Sequence, residues 1–231
     1  TRMDNPVPST TETLYDLASN TKMYATNYAL QMLVSDGKVN ITDTIQSYFP
    51  EFKDQPGAAI QGKNTMTIQN ILEHQAGFPA DPQYHNDTYD KDDGIENSVN
   101  DLYSVEKQTT QDMILKTPLQ YEPGSKTVYS DVDYMLLGLI VEQVSGMDLD
   151  VYVEENIYKP LGLDHIVFNP LQKGFDKDQC AATELNGNSR DGAITFTVNR
   201  TETIQGEVHD EKAFYSMNGV SGHAGLFADA Q

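Results

Sequence analysis

Ser19 and Lys22 lie three residues apart in the sequence Ser-Asn-Thr-Lys. On a helix, this spacing brings both side chains to one face. A serine hydroxyl is a weak nucleophile until a neighbouring base takes its proton, and an uncharged lysine amine can act as that base. The pair therefore predicts nucleophilic catalysis through a covalent intermediate on Ser19.

The surroundings of Lys22 favour this interpretation. Two other pairs share the spacing: Ser35 with Lys38 and Ser104 with Lys107. The first of these straddles a glycine at a helix end, and the second lies in a polar region. By contrast, the segment 17–35 contains no Asp or Glu, so no nearby carboxylate holds Lys22 in its charged form. The alternative is that Lys22 extends to solvent while Ser19 caps the helix.

A second group of polar residues follows a turn signature, Tyr-Glu-Pro-Gly, at 121–124. Tyr129 and Asp131 lie between this turn and a predicted helix, so structure fixes the loop at both ends. A phenol beside an ammonium can relay a proton, and a carboxylate can accept a hydrogen bond from a substrate amide. Tyr129 is also compatible with a simple packing role.

The elements that position these residues are mostly helical. Hydrophobic periodicity predicts five helices, at 19–35, 67–77, 110–116, 133–145 and 148–158. Strand-like segments occur at 13–17, 193–198 and 201–208, of which we expect the last two to pair. The first helix is apolar on nearly all sides, which predicts burial. Pro160 is expected to end the fifth helix. The segment 80–108 is predicted to be a long exposed loop, and the acidic residues within it at 90, 92 and 93 do not match calcium-loop spacing.

Several motifs taken in order resemble the serine β-lactamase and penicillin-binding-protein family on its class C side. They are LYDLASNTK at 14–22, IQNILEHQAGFP at 68–79, YEPGSKTVYSDVDYMLLGLIVEQVSG at 121–146 and YKPLGLDHIVFNP at 158–170. The tail at 206–230 is similar to the penicillin-binding protein 4B-like branch. The resemblance implies that Ser19 is the acylated nucleophile, Lys22 its base partner, Tyr129 the proton relay and Asp131 a substrate-binding residue.

The chain departs from the family pattern at two places. Asp131 stands where the family often has Asn, and an ionised Asp can only accept hydrogen bonds. The family's third motif, Lys/His-Thr/Ser-Gly, is expected downstream of Gln231. His223 begins a superficially similar His-Ala-Gly, but we expect it to be structural. We therefore interpret residues 1–231 as a partial catalytic domain, without the N-terminal strands and the third-motif region and inactive on its own.

The resemblance implies an α+β fold of the β-lactamase/DD-peptidase type, mostly its helical subdomain with part of the antiparallel sheet missing. It also implies D-Ala-D-Ala stem peptides of peptidoglycan or β-lactams as substrates, outside the cytoplasm. A serine esterase of the same fold and a non-catalytic peptide-binding module remain alternatives. The chain has 15 basic and 35 acidic residues, a net charge of −20, which argues against nucleic acid as a partner. The sequence shows neither the spacing of metal ligands nor a phosphate loop, so we expect no cofactor. It also shows no apolar run long enough to span a membrane.

Overall fold

The computed structural model describes residues 2–87, 101–189 and 198–231. Its α-helices are α1 (Tyr28–Ser35), α2 (Ile68–Leu72), α3 (Lys107–Lys116), α4 (Asp131–Ser145), α5 (Leu149–Val153) and α6 (Lys159–Leu161). Its strands are β1 (Tyr15–Asp16), β2 (Ile166–Phe168), β3 (Ala182–Glu184), β4 (Ile204–Gln205) and β5 (Leu226–Ala228). Short 3₁₀ turns occupy Ala18–Asn20, Ile45–Ser47, Lys63–Thr65, Pro170–Gln172, Lys177–Gln179 and Gly187–Ser189. π-helical turns occupy Lys22–Asn27, Glu154–Tyr158 and Lys212–Ser216.

Within the described residues, the main sheet has the strand order β1-β5-β2 and is antiparallel throughout. Phe227 on the central strand pairs with Asp16 on one side and with Val167 on the other. The chain leaves β1 directly into the 3₁₀ turn that carries Ser19, so the sheet fixes the start of the first helix. The mixture of helices with a partial antiparallel sheet confirms the predicted α+β class.

A second sheet pairs β3 with β4 and has two strands among the described residues. The sequence predicts instead that 201–208 pairs with 193–198. That pairing is not tested, because residues 193–197 lie outside the described part; among the described residues the partner of β4 is β3, earlier in the chain. The acidic residues at 90, 92 and 93, for which the sequence predicts no calcium loop, also lie outside the described part.

The helical segment from Ala18 to Ser35 is continuous, as predicted, but it changes geometry twice, from a 3₁₀ turn to a π-helical turn and then to α1. Its inner face is fully buried through Ala25, Ala29 and Leu33. Its outer face exposes Met23, Tyr24, Tyr28 and Val34. The prediction of burial on all sides is therefore wrong, because the core takes up only one stripe of this helix.

The longest helix, α4, is the centre of the core. Ten of its fifteen residues, Val132 to Val141, are buried. The helix ends where predicted, at Gly146, which adopts the left-handed conformation (φ 70°) that favours glycine. Gly138 and Gly222 allow the helix backbone to touch the segment before β5, since a Cβ on Gly222 would lie 2.0 Å from the Tyr134 carbonyl oxygen.

The remaining helices differ from prediction at their ends. α2 begins after Thr67, whose capping box with Asn70 confirms the predicted N-cap, but it ends at Leu72 rather than near Gly77. α3 starts three residues earlier than predicted. Pro160 does not end the fifth helix, because it lies in the first turn of α6, where the preceding π-helical turn accommodates a residue without an N–H. No helix of the described residues is long and apolar enough to cross a membrane.

An acid–base contact joins α4 to the chain after α2. His74 adopts a left-handed backbone (φ 54°), and its Nδ1 lies 2.6 Å from Oδ2 of Asp133, a side chain only 1% exposed. Burial raises the pKa of Asp133 to about 6, although the contacts with His74 and Lys22 oppose that shift. Because a carboxyl group in an unfolded chain titrates near pH 4, the folded protein binds more protons between about pH 4 and pH 6.

This difference predicts how Asp133→Asn changes stability with pH. The parent's free energy of unfolding should fall, relative to that of the variant, as the pH rises from 4 to 6, by at most about 3 kcal/mol. Urea unfolding of both proteins across this range measures the difference. Asp112→Asn, at an exposed position on α3, is the control and should show no such trend. A parent–variant difference that stays constant from pH 4 to 7 would contradict the assignment.

Candidate active site

Ser19 lies on a strained turn at the surface. Its side chain is exposed, and the residue before it, Ala18, has a positive φ of 48°, which is uncommon for a residue with a Cβ. Asp16 holds this turn in place: one carboxylate oxygen accepts from the Ala18 N–H at 2.8 Å and the other from the His209 N–H at 2.7 Å. Backbone strain of this kind is characteristic of functional sites, and here it presents the Ser19 hydroxyl at the helix entrance.

Lys22 lies one turn further on and is only 4% exposed. Its Nζ donates to three acceptors: Ser19 Oγ at 3.1 Å, Asp131 Oδ1 at 2.9 Å and the His223 carbonyl oxygen at 3.2 Å. Three acceptors match the three N–H donors of an ammonium group. The same arrangement suits a neutral amine, which would keep two N–H donors for Asp131 and His223 and direct its lone pair at Ser19.

The fold supplies Lys22 with a carboxylate that its neighbours in sequence lack. The segment around Lys22 supplies no carboxylate, but the fold brings one from 109 positions later in the chain. The expectation that no carboxylate holds Lys22 charged is therefore wrong. The alternative in which Lys22 extends to solvent is wrong as well, because burial and Asp131 together keep the amine beside Ser19.

Two aromatic rings cover the amine. The centroid of the Tyr129 ring lies 4.7 Å from Lys22 Nζ, and that of Tyr134 lies 5.8 Å away. Tyr129 is 52% exposed and stacks at a tilt on His74, with 4.7 Å between ring centroids. The fold thus brings Tyr129 beside Lys22, which in turn contacts Ser19. The role of Tyr129 as a proton relay stays a prediction.

Asp131 is shared between two lysines. Its Oδ1 binds Lys22, and its Oδ2 lies 3.3 Å from Lys212 Nζ. Its backbone N–H donates to the Ala80 carbonyl oxygen at 3.0 Å, which fixes the first residue of α4. Burial opposes ionisation of Asp131, but the Coulombic interactions with His223, Lys212 and Lys22 outweigh it and hold the pKa of this carboxyl below its usual range. Its predicted contact with substrate stays a prediction.

Sequence reasoning missed the residues behind Asp131. Lys212 is 4% exposed on its side chain and pairs with Asp81, with Asp131 and, at 3.6 Å, with Asp210. Burial alone would lower the pKa of Lys212, but these three carboxylates raise it above its usual range. The one signal in the sequence was Asp131 itself, because a carboxylate in place of an amide adds a charge that a buried site must balance.

His223 is buried, as a structural residue would be. Its Nδ1 lies 2.7 Å from Ser221 Oγ and its Nε2 lies 2.8 Å from Asp210 Oδ1. Its backbone carbonyl nevertheless forms part of the site by accepting from Lys22. Asp131, Asp210 and His223 bring one ligand atom each within 4.8 Å of one another. Both carboxylates already bind Lys212, so this set is built around an ammonium group.

The two other Ser/Lys pairs do not form such a site. Lys38 pairs with Asp36 at 3.5 Å on the surface. Lys107 binds Glu142 at 2.7 Å and Asp148 at 3.3 Å, and these carboxylates raise its pKa against the effect of burial. Only the pair at 19 and 22 combines an exposed hydroxyl with a buried amine among the described residues.

Relatives of known sequence match nearly the whole chain. A protein of Salmonella typhimurium named "Putative D-alanyl-D-alanine carboxypeptidase" is 60% identical over 229 residues, which cover 99% of this chain and 51% of that protein. A protein of the same name from Salmonella agona is 59% identical with the same coverage. The chain thus spans about half the length of the curated relatives it matches.

Solved structures share the fold. The octameric penicillin-binding protein homologue of Pyrococcus abyssi matches with a TM-score of 0.64 at 23% identity, over 97% of this chain and 44% of that one. The D-amino acid amidase of Ochrobactrum anthropi matches with a TM-score of 0.65 at 20% identity, over 99% of this chain and 57% of that one. The Beta-lactamase family model matches residues 1–231. The chain therefore belongs to the Beta-lactamase family.

Proposed function

We propose that the protein containing this chain is a serine acyl-transfer hydrolase that forms an acyl-enzyme on Ser19. The observation that carries the proposal is the 3.1 Å contact between Oγ of Ser19, an exposed residue, and Nζ of Lys22, a buried one. A general base must lie within hydrogen-bond reach of the proton it removes, and this amine does. Membership of the Beta-lactamase family supports the same reaction class.

The reaction follows from the arrangement of these groups. Ser19 Oγ attacks the substrate carbonyl carbon while its proton passes to neutral Lys22. The attack forms the O–C bond and a tetrahedral oxyanion. Collapse of this intermediate breaks the C–N bond, and the proton on Lys22 passes through Tyr129 to the departing amine. A water molecule then attacks the ester, releases the acid and returns the proton to Ser19.

The substrate class we propose is a D-Ala-D-Ala peptide of the peptidoglycan stem, or a β-lactam that imitates it, and we place the enzyme outside the cytoplasm. The names of the Salmonella relatives at 59 to 60% identity support the carboxypeptidase reaction. An esterase of the same fold is the alternative that Asp131 favours, because both of its carboxylate oxygens face lysines and neither can donate to a substrate carbonyl. A non-catalytic peptide-binding module is the alternative from another functional class.

Covalent labelling tests the nucleophile. A fluorescent penicillin or fluorophosphonate should label the natural full-length protein on the peptide that contains Ser19, and Ser19→Ala should abolish that label. Lys22→Ala should slow acylation by about 10²–10⁴-fold, the usual effect of losing a general base.

Ser35→Ala and Lys38→Ala supply the matched control, because this pair has the same spacing but lies on the surface. Both variants should be labelled at the parental rate. Label on a residue other than Ser19 would reject the assignment, and a Lys22→Ala variant labelled as fast as the parent would remove Lys22 from the mechanism.

Turnover distinguishes the candidate functions. We expect the full-length protein to release D-Ala from a D-Ala-D-Ala peptide, and Ser19→Ala to eliminate this activity. Faster hydrolysis of p-nitrophenyl esters than of peptide and nitrocefin would favour the esterase. Absence of turnover on all three substrates, together with peptide binding, would favour the binding module. Because the relatives are about twice as long, we expect little activity from residues 1–231 alone.

A further inference from the structure

A second buried lysine lies behind the candidate catalytic group. Lys212 begins a π-helical turn, Lys212–Ser216, and Lys22 begins another, Lys22–Asn27. The two amines approach Asp131 from opposite oxygens, at 2.9 Å for Lys22 and 3.3 Å for Lys212. Asp131 thus lies between the two amines.

The surroundings of Lys212 favour its charged form and raise its pKa above the usual range. Three carboxylates face it, from Asp81, Asp131 and Asp210, and its side chain is 4% exposed. Asp210 is in turn fixed by His223 Nε2 at 2.8 Å, and the His223 carbonyl oxygen accepts from Lys22. The network therefore closes on itself, running from Lys22 through Asp131, Lys212, Asp210 and His223 back to Lys22.

The charges of this network determine how readily Lys22 loses a proton and becomes a neutral amine. A carboxylate at 2.9 Å favours the ammonium form, whereas a base must be neutral to accept the serine proton. Lys212 contacts the other oxygen of the same carboxylate, and its positive charge weakens the preference of Lys22 for the ammonium form. Among the described residues, the rings of Tyr129 and Tyr134 and the carboxyl of Asp133 also lie near Lys22, and His74 contacts all three.

We propose that Lys212 is a positioning residue that shares the negative charge of Asp131 and so allows Lys22 to act as a base. The inference deepens the proposed function and rests on it. It also accounts for Asp131 in place of the family's frequent Asn: Lys212 compensates the charge that the substitution introduces. Lys212 does not contact Ser19 or the reacting atoms, and its positive charge acts on Lys22 electrostatically, opposing the effect of the Asp131 carboxylate.

The pH profile of acylation tests this role. The rate constant for labelling Ser19 with the fluorophosphonate is measured from pH 5 to 10 in the full-length protein, and the acidic limb gives the apparent pKa of the base. Lys212→Met should move this limb up by about one pH unit and lower the rate about tenfold below it. Asp131→Asn should move the limb down by a similar amount.

The double variant Lys212→Met/Asp131→Asn removes one positive and one negative charge and leaves the total charge of the network unchanged. Its acidic limb should return to the parental position, and its labelling rate below the limb should exceed that of Lys212→Met about tenfold. A purely structural role for Lys212 predicts a loss of rate at every pH, an unmoved limb and no rescue by Asp131→Asn.

Lys63→Met is the matched control, because Lys63 is 3% exposed but binds the Leu115 carbonyl oxygen at 2.7 Å, away from the site. It should lower stability without moving the limb. A limb in Lys212→Met that stays within about 0.2 pH units of the parent would overturn the proposal.

The comparison of the double variant with Asp131→Asn decides the matter if Lys212→Met does not fold. The proposal requires that the double variant folds and that its limb lies about one pH unit above that of Asp131→Asn. Equal limbs, or a double variant that also fails to fold, would overturn it. A parent protein that is not labelled on Ser19 overturns the proposed function and this inference together, whereas labelling on Ser19 with an unmoved limb overturns this inference alone.

Discussion

A buried ammonium group needs an acceptor for each of its protons and a counter-charge, and Lys22 imposes both requirements on the site. It draws Asp131 to the first turn of α4 and the His223 carbonyl to the segment before β5, and it leaves its third direction for Ser19. Three separate parts of the chain therefore meet at one nitrogen atom. The contacts of Lys22 with these three acceptors offset the cost of burying its charge, since unpaired ammonium groups are not stable in a protein interior.

The backbone around this nitrogen departs from regular α-helix next to Ser19, at Lys22 and at Lys212. Ala18 has a positive φ directly before Ser19, and π-helical turns start at Lys22 and Lys212. Such turns are frequent at functional sites because they redirect a side chain without ending the helix. The sheet and the Asp16 carboxylate stabilise the strained turn from one side, and the buried α4 supports the site from the other.

Local patterns predicted the parts of this arrangement that depend on neighbours in sequence. The apolar run before Gly146 gave α4, and the spacing of Ser19 and Lys22 gave the pair at the helix entrance. Spacing could not show that Asp131 would reach Lys22, because that contact depends on how α4 packs against the first helix. The mispredicted burial of Tyr28 has a similar cause: apolar residues on every side of a helix do not tell which stripe the core will cover. Lys212 lies in a stretch without periodicity, and its importance becomes visible only where the fold adds Asp81 and Asp131, from distant parts of the chain, to its sequence neighbour Asp210.

The contact between Gly138 and Gly222 has a mechanical meaning. Helix α4, which begins with Asp131, and the segment that carries His223 touch backbone to backbone, with no side chain between them that could change rotamer. Thr26 Oγ1 donates to the Gly222 carbonyl oxygen at 2.7 Å and ties the first helix to the same point. The segments that carry the acceptors of Lys22 are therefore packed against one another at their backbones. We expect them to move together, which preserves the distances to Lys22 Nζ on which proton transfer depends.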